Sequence, residues 1–256
     1  MPAFQSPHQK AKAAVVLLLT FGSGMVDIVG YLNIYRLFVA NMTGDTVRVG
    51  QTVITGDWNE FVLAGSVIVA FIAGSVVGRA VIEAGARKKI ERIAGVTLLM
   101  EAALVLTVML SYPASPLDHA AGAPGTQFSL VLLALAMGLQ TATLTHLGPL
   151  TIHTTFVTGM LNQLAESLAT WFFWLHDQWQ QNLDWFDVLR RGWKRLEFQT
   201  ATFMAVIWLC YAFGSVSGTW LNSHWRLYSL SIPVILLLFA AGIDQVQPIS
   251  LEEEKR

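Results

Sequence analysis

Little in this chain can be ionised, oxidised or made to hold a metal. Only 13% of its 256 residues are charged, about half the usual share of a soluble domain. Cys210 stands alone, which excludes a disulfide within the chain; a small apolar residue in a membrane helix is the better reading of it. A net charge of −1 leaves no basic excess, so no nucleic-acid partner is expected. No Cys/His cluster has metal-ligand spacing, and neither metal nor cofactor is expected. The H-E-x-x-H zinc helix, a Gly-x-Ser-x-Gly elbow with a histidine base and a phosphate-binding Gly-Lys-Ser/Thr are all missing. The expectation is therefore not an enzyme, and not an ATP-driven pump acting alone.

What the chain has in plenty is apolar length. Hydrophobic residues make up 54% of it and the mean hydropathy is +0.52, so the bilayer is the expected solvent. Lys10 and Lys12 precede an apolar run in the manner of a signal peptide, but the run continues past Val29 without a cleavage site. It reads as a first membrane helix. The polar tails are too short to fold, so no soluble domain is expected.

Six segments are long enough to cross, at roughly 13–33, 60–84, 92–112, 127–147, 199–221 and 227–243, given the usual need for about 20 apolar residues. Pro233 in the last suggests a bend. Segments 37–55 and 151–175 are ambiguous, because the first holds Asn41, Thr43, Asp45, Arg48 and Gln51 and the second His153, Asn162, Gln163 and Glu166. Charge decides between six and eight crossings. Basic residues cluster at Arg79, Arg87, Lys88, Lys89 and Arg92 and again at Arg190, Arg191, Lys194 and Arg195, whereas 113–126 has no Lys or Arg. Eight crossings would put the two basic loops on opposite faces. Six put both inside, together with the termini, as the positive-inside rule requires. The expectation is an all-α integral membrane bundle of about six transmembrane helices plus two broken or re-entrant helices, with both termini cytoplasmic in a bacterial inner membrane.

Two echoes point to duplication. Thr43-Gly44 returns as Thr158-Gly159, 115 residues on. Gly74-Ser75-Val76-Val77-Gly78 returns as Gly214-Ser215-Val216-Ser217-Gly218, 140 residues on. One transmembrane domain then holds two repeats, about 13–112 and about 127–243. Three crossings in each half make the copies inverted relative to one another, an arrangement found in transporters with a central binding site. The longer second spacing reflects an insertion at about 176–198, where Trp179, Leu183, Phe186, Leu189, Trp193 and Leu196 recur at helical spacing. It reads as an amphipathic helix on the membrane surface, with partner docking as the alternative.

Candidate site residues follow from polarity at membrane depth. Asp27 in the first span must face a cavity or a partner; it either carries a cation or proton, or fixes packing against the neighbouring broken segment. Gln140 occupies the matching stretch of the second half. Glu101 lies near the middle of the third span with no evident cationic partner. Asn41, Thr43 and Asp45, with Thr158 and Asn162, offer clustered oxygen-bearing side chains at the expected helix breaks, where a Thr-Gly pair suits a turn. Helix N-termini at such breaks suit an anionic group equally. Glu166 and Asp45 are expected near a cavity mouth. The pairs Gly74/Gly78 and Gly214/Gly218 have small-xxx-small spacing and read as packing seams. His146 and His153 flank Gly148-Pro149 and read as ordinary interfacial residues.

Phe38-Val39-Ala40-Asn41-Met42-Thr43-Gly44-Asp45-Thr46-Val47 closely resembles the first signature of the YoaK family, bacterial membrane proteins with a domain of unknown function. Gly24 to Leu32 is similar to its first helix, and Met137 to Ala142 with Thr154 to Gly159 to its second signature. The resemblance covers about residues 13–243 and implies an inner-membrane protein of about six spans, without a substrate. Asp45 stands where the family commonly has Asn, and Arg48 interrupts a segment that is usually apolar, as the expected partner of Asp45. The Trp-rich insertion is also atypical. The leading expectation is a secondary transporter or channel-like permease for a small polar or ionic solute, coupled to protons or cations through Asp27 or Glu101. A non-transporting membrane scaffold or assembly factor is the alternative. The expected partners are the lipid bilayer and that solute.

Overall fold

Two of the helix starts in this protein are set by capping side chains. The computed structural model describes residues 7–111, 123–143, 146–147, 150–151, 157–180 and 185–248. Among them the chain forms α1 (Pro7–Asn33), α2 (Met42–Thr55), α3 (Trp58–Arg87), α4 (Ala94–Ser111), α5 (Pro124–Thr143), α6 (Val157–Gln180), α7 (Trp185–Gly192), α8 (Leu196–Trp225) and α9 (Ser231–Val246). The Asn41 side chain caps α2 by accepting the Gly44 N–H at 3.2 Å. Gly56, at φ 74°, ends that helix with its own N–H on the Thr52 carbonyl. Asp57 then caps α3 through the Glu60 N–H at 3.1 Å, so two residues suffice to turn the chain.

Among the described residues, five stretches are long and apolar enough to cross a membrane: Gln9–Asn33, Trp58–Arg87, Ala94–Ser111, Gly125–Thr143 and the 51-residue Leu196–Val246. The last contains two helices in series, separated by a 3-10 turn over Arg226–Leu230. Pro233 is the third residue of α9, where its missing N–H deprives no helical bond. The expected proline bend is replaced by the 3-10 turn just before it. The molecule is thus a helical membrane bundle, and its only strands among the described residues are His146–Leu147 and Leu150–Thr151, paired antiparallel between α5 and α6. That two-residue ladder is a small departure from the all-α expectation.

Packing fixes the helix directions. A Cβ placed on Gly214 would collide with the Phe21 carbonyl and one on Gly218 would crowd Met25, so α1 and α8 run parallel in close contact. The same contact recurs elsewhere. Gly74 abuts the Leu135 carbonyl and Gly78 abuts Leu139, so α3 and α5 also run parallel. Each crossing is closed from the other side as well, by Gly24 against Tyr211 and by Gly138 against Phe71. Between the two pairs the direction reverses: Gly30 of α1 meets Leu133 of α5, while Leu19 and Ser23 meet Gln140. Close backbone approach of this kind needs residues without side chains, which is the role expected of Gly74, Gly78, Gly214 and Gly218.

The ends of the bundle follow. Gly95 at the start of α4 donates its N–H to Asp244 at the end of α9 at 2.7 Å. Ala11 near the start of α1 lies beside Val246 and Gln247. Thr143, last in α5, bonds Thr97 in the first turn of α4 at 2.8 Å. The start of α1, the end of α3, the start of α4 and the end of α9 therefore share one end of the bundle, and α8, parallel to α1, starts there too.

The 176–198 segment departs from the single amphipathic helix expected of it. It divides into the tail of α6, the eight-residue α7 and the start of α8. Trp171, Leu175 and Val188 form a small cluster of their own, and the Trp171 indole N–H donates to the Gly192 carbonyl at 3.1 Å. Arg195 lies 4.7 Å over the Trp174 ring and grips Glu197 through two bonds of 2.9 and 2.7 Å. Gly192 is needed at the turn, because a Cβ there would press on Trp171 and Trp174.

Candidate functional site

A cavity of about 590 Å³ opens between the two glycine crossings. Its walls come from α1 (Asp27, Ile28), the 34–41 connection (Phe38, Ala40, Asn41), α2 (Met42, Thr43), α3 (Phe71), α5 (Thr141), α6 (Val157, Thr158) and α8 (Tyr211, Ser215). Asp27 is buried, whereas Asn41, Thr43 and Thr158 are exposed, which gives the cavity a closed floor and an open rim.

Asp27 holds the floor together. One carboxylate oxygen accepts the backbone N–H groups of Val39 and Ala40, each at 3.0 Å, and the other accepts the Tyr211 hydroxyl. The connection between α1 and α2 is non-helical, so its amides lack helical partners and need others. Asp27 supplies them from the helix that precedes. Its partners are thus backbone amides of the connection that follows α1 and a phenol of α8.

The break also differs in position from the expected one. Thr43-Gly44 and Thr158-Gly159 are helical residues, in the first turns of α2 and α6, and the non-helical stretch of the first half lies before them. The reason is the Asn41 cap, which starts the helix one residue ahead of Thr43. Two helix N-termini therefore border the cavity, each with a threonine in its first turn.

Several candidates lie elsewhere. Asn162 is exposed and absent from the lining; four residues beyond Thr158 carries it about 6 Å along the helix, past the cavity. Glu166, a turn further, is exposed as well. Asp45 is buried, not at a mouth, and one of its carboxylate oxygens has no hydrogen-bond partner. Arg48 does not form the expected bond to it. Its guanidinium bonds Glu60 at 2.7 Å instead, because the Gly56-Asp57 turn folds the start of α3 back against α2. Gln140 faces the other side of α5: its amide donates to the Ser23 hydroxyl at 2.6 Å and to the Leu19 carbonyl at 3.2 Å. By the glycine register (Gly24 with Gly138), the residue that matches Asp27 is Thr141, and Thr141 does line the cavity.

Glu101 is 1% exposed and neither carboxyl oxygen has a hydrogen-bond partner. It borders a separate small void with Gln140. The 113–122 stretch, the side chains of His146 and His153, Gly148-Pro149 and the tail with Lys255 and Arg256 lie outside the described residues.

Thr141, Tyr211 and Ser215 are the polar lining residues that reading for polar clusters missed. The glycine echo carries the signal that finds them. Ser215 follows Gly214 as Ser75 follows Gly74, and Tyr211 precedes Gly214 by three, as Phe71 precedes Gly74.

The family described as "Protein of unknown function (DUF1275)" matches residues 15–243. The UPF0700 transmembrane protein YoaK of Bacillus subtilis (strain 168) is 23% identical over 240 residues, covering 93% of this chain and 95% of the relative. No solved structure matches.

Proposed function

We propose that this chain, which belongs to the DUF1275 family, is a secondary transporter or channel-like permease for a small polar or ionic solute. The observation that carries this reading is the cavity: about 590 Å³ with a polar floor and rim, bordered by helices from both halves of an apolar bundle. Polar groups at such a place are expensive, and where they persist they mark substrate and ion pathways. The Asp27 carboxylate and the hydroxyls of Thr43, Thr141, Thr158, Tyr211 and Ser215 offer acceptors and donors, and the N-termini of α2 and α6 add positive potential.

The reading includes two inverted repeats, α1 to α4 and α5 to α9. Three matches support it: α1 with α5, α3 with α8 and the first turn of α2 with that of α6. The antiparallel run of α1 against α5 supports inversion. Six crossings, with α2 and α6 partial, bring Lys10, Lys12, Arg87 to Lys89 and Arg190 to Arg195 to one end of the bundle, which the positive-inside rule assigns to the cytoplasm of an inner membrane. Coupling to a proton or cation passes through Asp27 or Glu101.

The test is flux in proteoliposomes. Vesicles holding purified protein are offered panels of inorganic ions, amino acids and organic acids under imposed pH, sodium and electrical gradients. One class is expected to move with wild type and at least about tenfold more slowly with Thr158→Val, which removes a rim hydroxyl at constant shape. Absence of flux for every probe overturns the reading. The scaffold alternative draws on exposed Trp179, Trp185, Phe186 and Trp193 around α7; it predicts that deleting 181–195 abolishes a stable partner complex while no solute ever moves.

A further inference from the structure

Two buried carboxyls stand in opposite situations, and the difference assigns them different work. Asp27 is surrounded by donors. The Val39 and Ala40 amides point at one oxygen and the Tyr211 hydroxyl at the other, and an amide N–H cannot become an acceptor. A proton added to Asp27 would require the Tyr211 hydroxyl to turn from donor to acceptor and would weaken the carboxylate as acceptor for the two amides that hold the connection. Asp27 is therefore suited to stay an acceptor.

Glu101 has no donor at either oxygen. Around it are Leu19 and Gly22 of α1, Gln140 of α5 and Pro233 and Leu237 of α9. No other titratable group borders this void. On the helices that do, the charged residues are Lys10, Lys12 and Asp27 of α1 and Asp244 of α9, all outside the lining, and α5 has none. An ionised carboxylate in such a place would be an uncompensated buried charge, which is strongly disfavoured, whereas a neutral acid costs far less. The void measures about 10 Å³, close to the smallest space that admits one water. A modest separation of α1, α4, α5 and α9 would hydrate it.

Gln140 connects this void to the cavity. Its amide bonds Ser23, one turn before Asp27 on α1, and the next residue, Thr141, lines the cavity. A shift of α1 against α5 on solute binding changes the Gln140–Ser23 bond and the wall of the void together.

We propose that Glu101 is the proton-binding site that couples the permease, protonated while the α1–α4–α5–α9 junction is closed and deprotonated when it opens to water, and that Asp27 is a fixed positioning residue. The assignment rests on the permease reading for the word coupling; the proton site itself does not. The reaction is reversible transfer of one proton between the Glu101 carboxyl and water.

Infrared spectroscopy of the full chain in phosphatidylcholine vesicles tests it, with water and deuterium oxide as the only probes. The wild-type minus Glu101→Gln difference at pH 7 is expected to contain a protonated-carboxyl stretch that shifts in deuterium oxide, and the same stretch is expected to persist in Asp27→Asn and Asp45→Asn. A difference showing ionised-carboxylate bands, or no carboxyl band, overturns the proposal. A band that never exchanges with deuterium overturns it too, because a sealed acid carries no proton. If Glu101→Gln fails to fold, Glu101→Asp keeps the acid and must move the stretch; an unmoved stretch counts against Glu101. Flux failing for every solute would sink the permease while leaving an exchanging Glu101 band intact, so the two failures are distinguishable.

Discussion

The α1–α8 crossing and the α5–α3 crossing have the same backbone and different chemistry. In both, one glycine (Gly214, Gly74) abuts a carbonyl of the other helix, a second lies one turn on against that helix, and a third closes the contact from the opposite side. Yet the first crossing presents Asp27 and Tyr211 to the cavity where the second presents Thr141 and Phe71. Steric contact at the seam admits only glycine, so those positions stay alike. A residue three positions away faces open space and is free to differ. The pair teaches that the halves share a scaffold and that the charged half of the site belongs to one of them.

The sharpest way to break this comparison is to remove the acid. Asp27→Ala leaves two backbone amides and a phenol without an acceptor, each costing about 1–3 kcal/mol when buried, while Thr141→Ala removes a hydroxyl that donates to the Met137 carbonyl of its own helix and should cost about 1 kcal/mol. Thermal unfolding in detergent micelles reads both, and equal losses would deny Asp27 its special place. Next, Gly74→Ala and Gly214→Ala should each destabilise toward the upper end of about 1–3 kcal/mol, since the obstructing atom is a carbonyl that cannot turn aside. One tolerated alanine beside one damaging one would refute the likeness of the two seams. Tyr211→Phe gives both crossings a phenylalanine at this position, and because Phe71 shows that the bare ring fits, only the bond to Asp27 is lost, about 1.5 kcal/mol for a charged acceptor; no loss would mean the phenol is not needed. Smallest of all, Arg48→Ala breaks a partly exposed ion pair with Glu60 and should change the midpoint by the equivalent of about 0.2–1 kcal/mol, decreasing with salt.

The legible parts of this fold were those written in local chemistry. Apolar length marked α1, α3, α4, α5 and the α8–α9 stretch, and the glycine echo marked the seams. Asp27 could be placed facing inward because lipid excludes it. The mistakes share a cause. Arg48 sits one turn from Asp45, yet its partner Glu60 arrives from the next helix through a two-residue turn. Asn162 sits one turn from Thr158, yet the cavity ends before it. Gln140 lies beside the correct residue, Thr141, on the wrong side of α5. In each case the sequence shows which residues neighbour one another along a helix, and the competing partner or boundary comes from another helix.

Composition and periodicity alone determined that this chain folds as a helical membrane bundle, that its charges gather in two basic clusters, and that two glycine seams recur along it. These depend on transfer from water to lipid and on backbone clearance, both properties of short segments. Only the tertiary structure decided that Asp27 is saturated with donors while Glu101 has none, that Tyr211 reaches Asp27 from the far half of the chain, and that a cavity opens where the seams diverge. Those are matters of which side chain stands opposite which, and that is set when helices distant in sequence pack together.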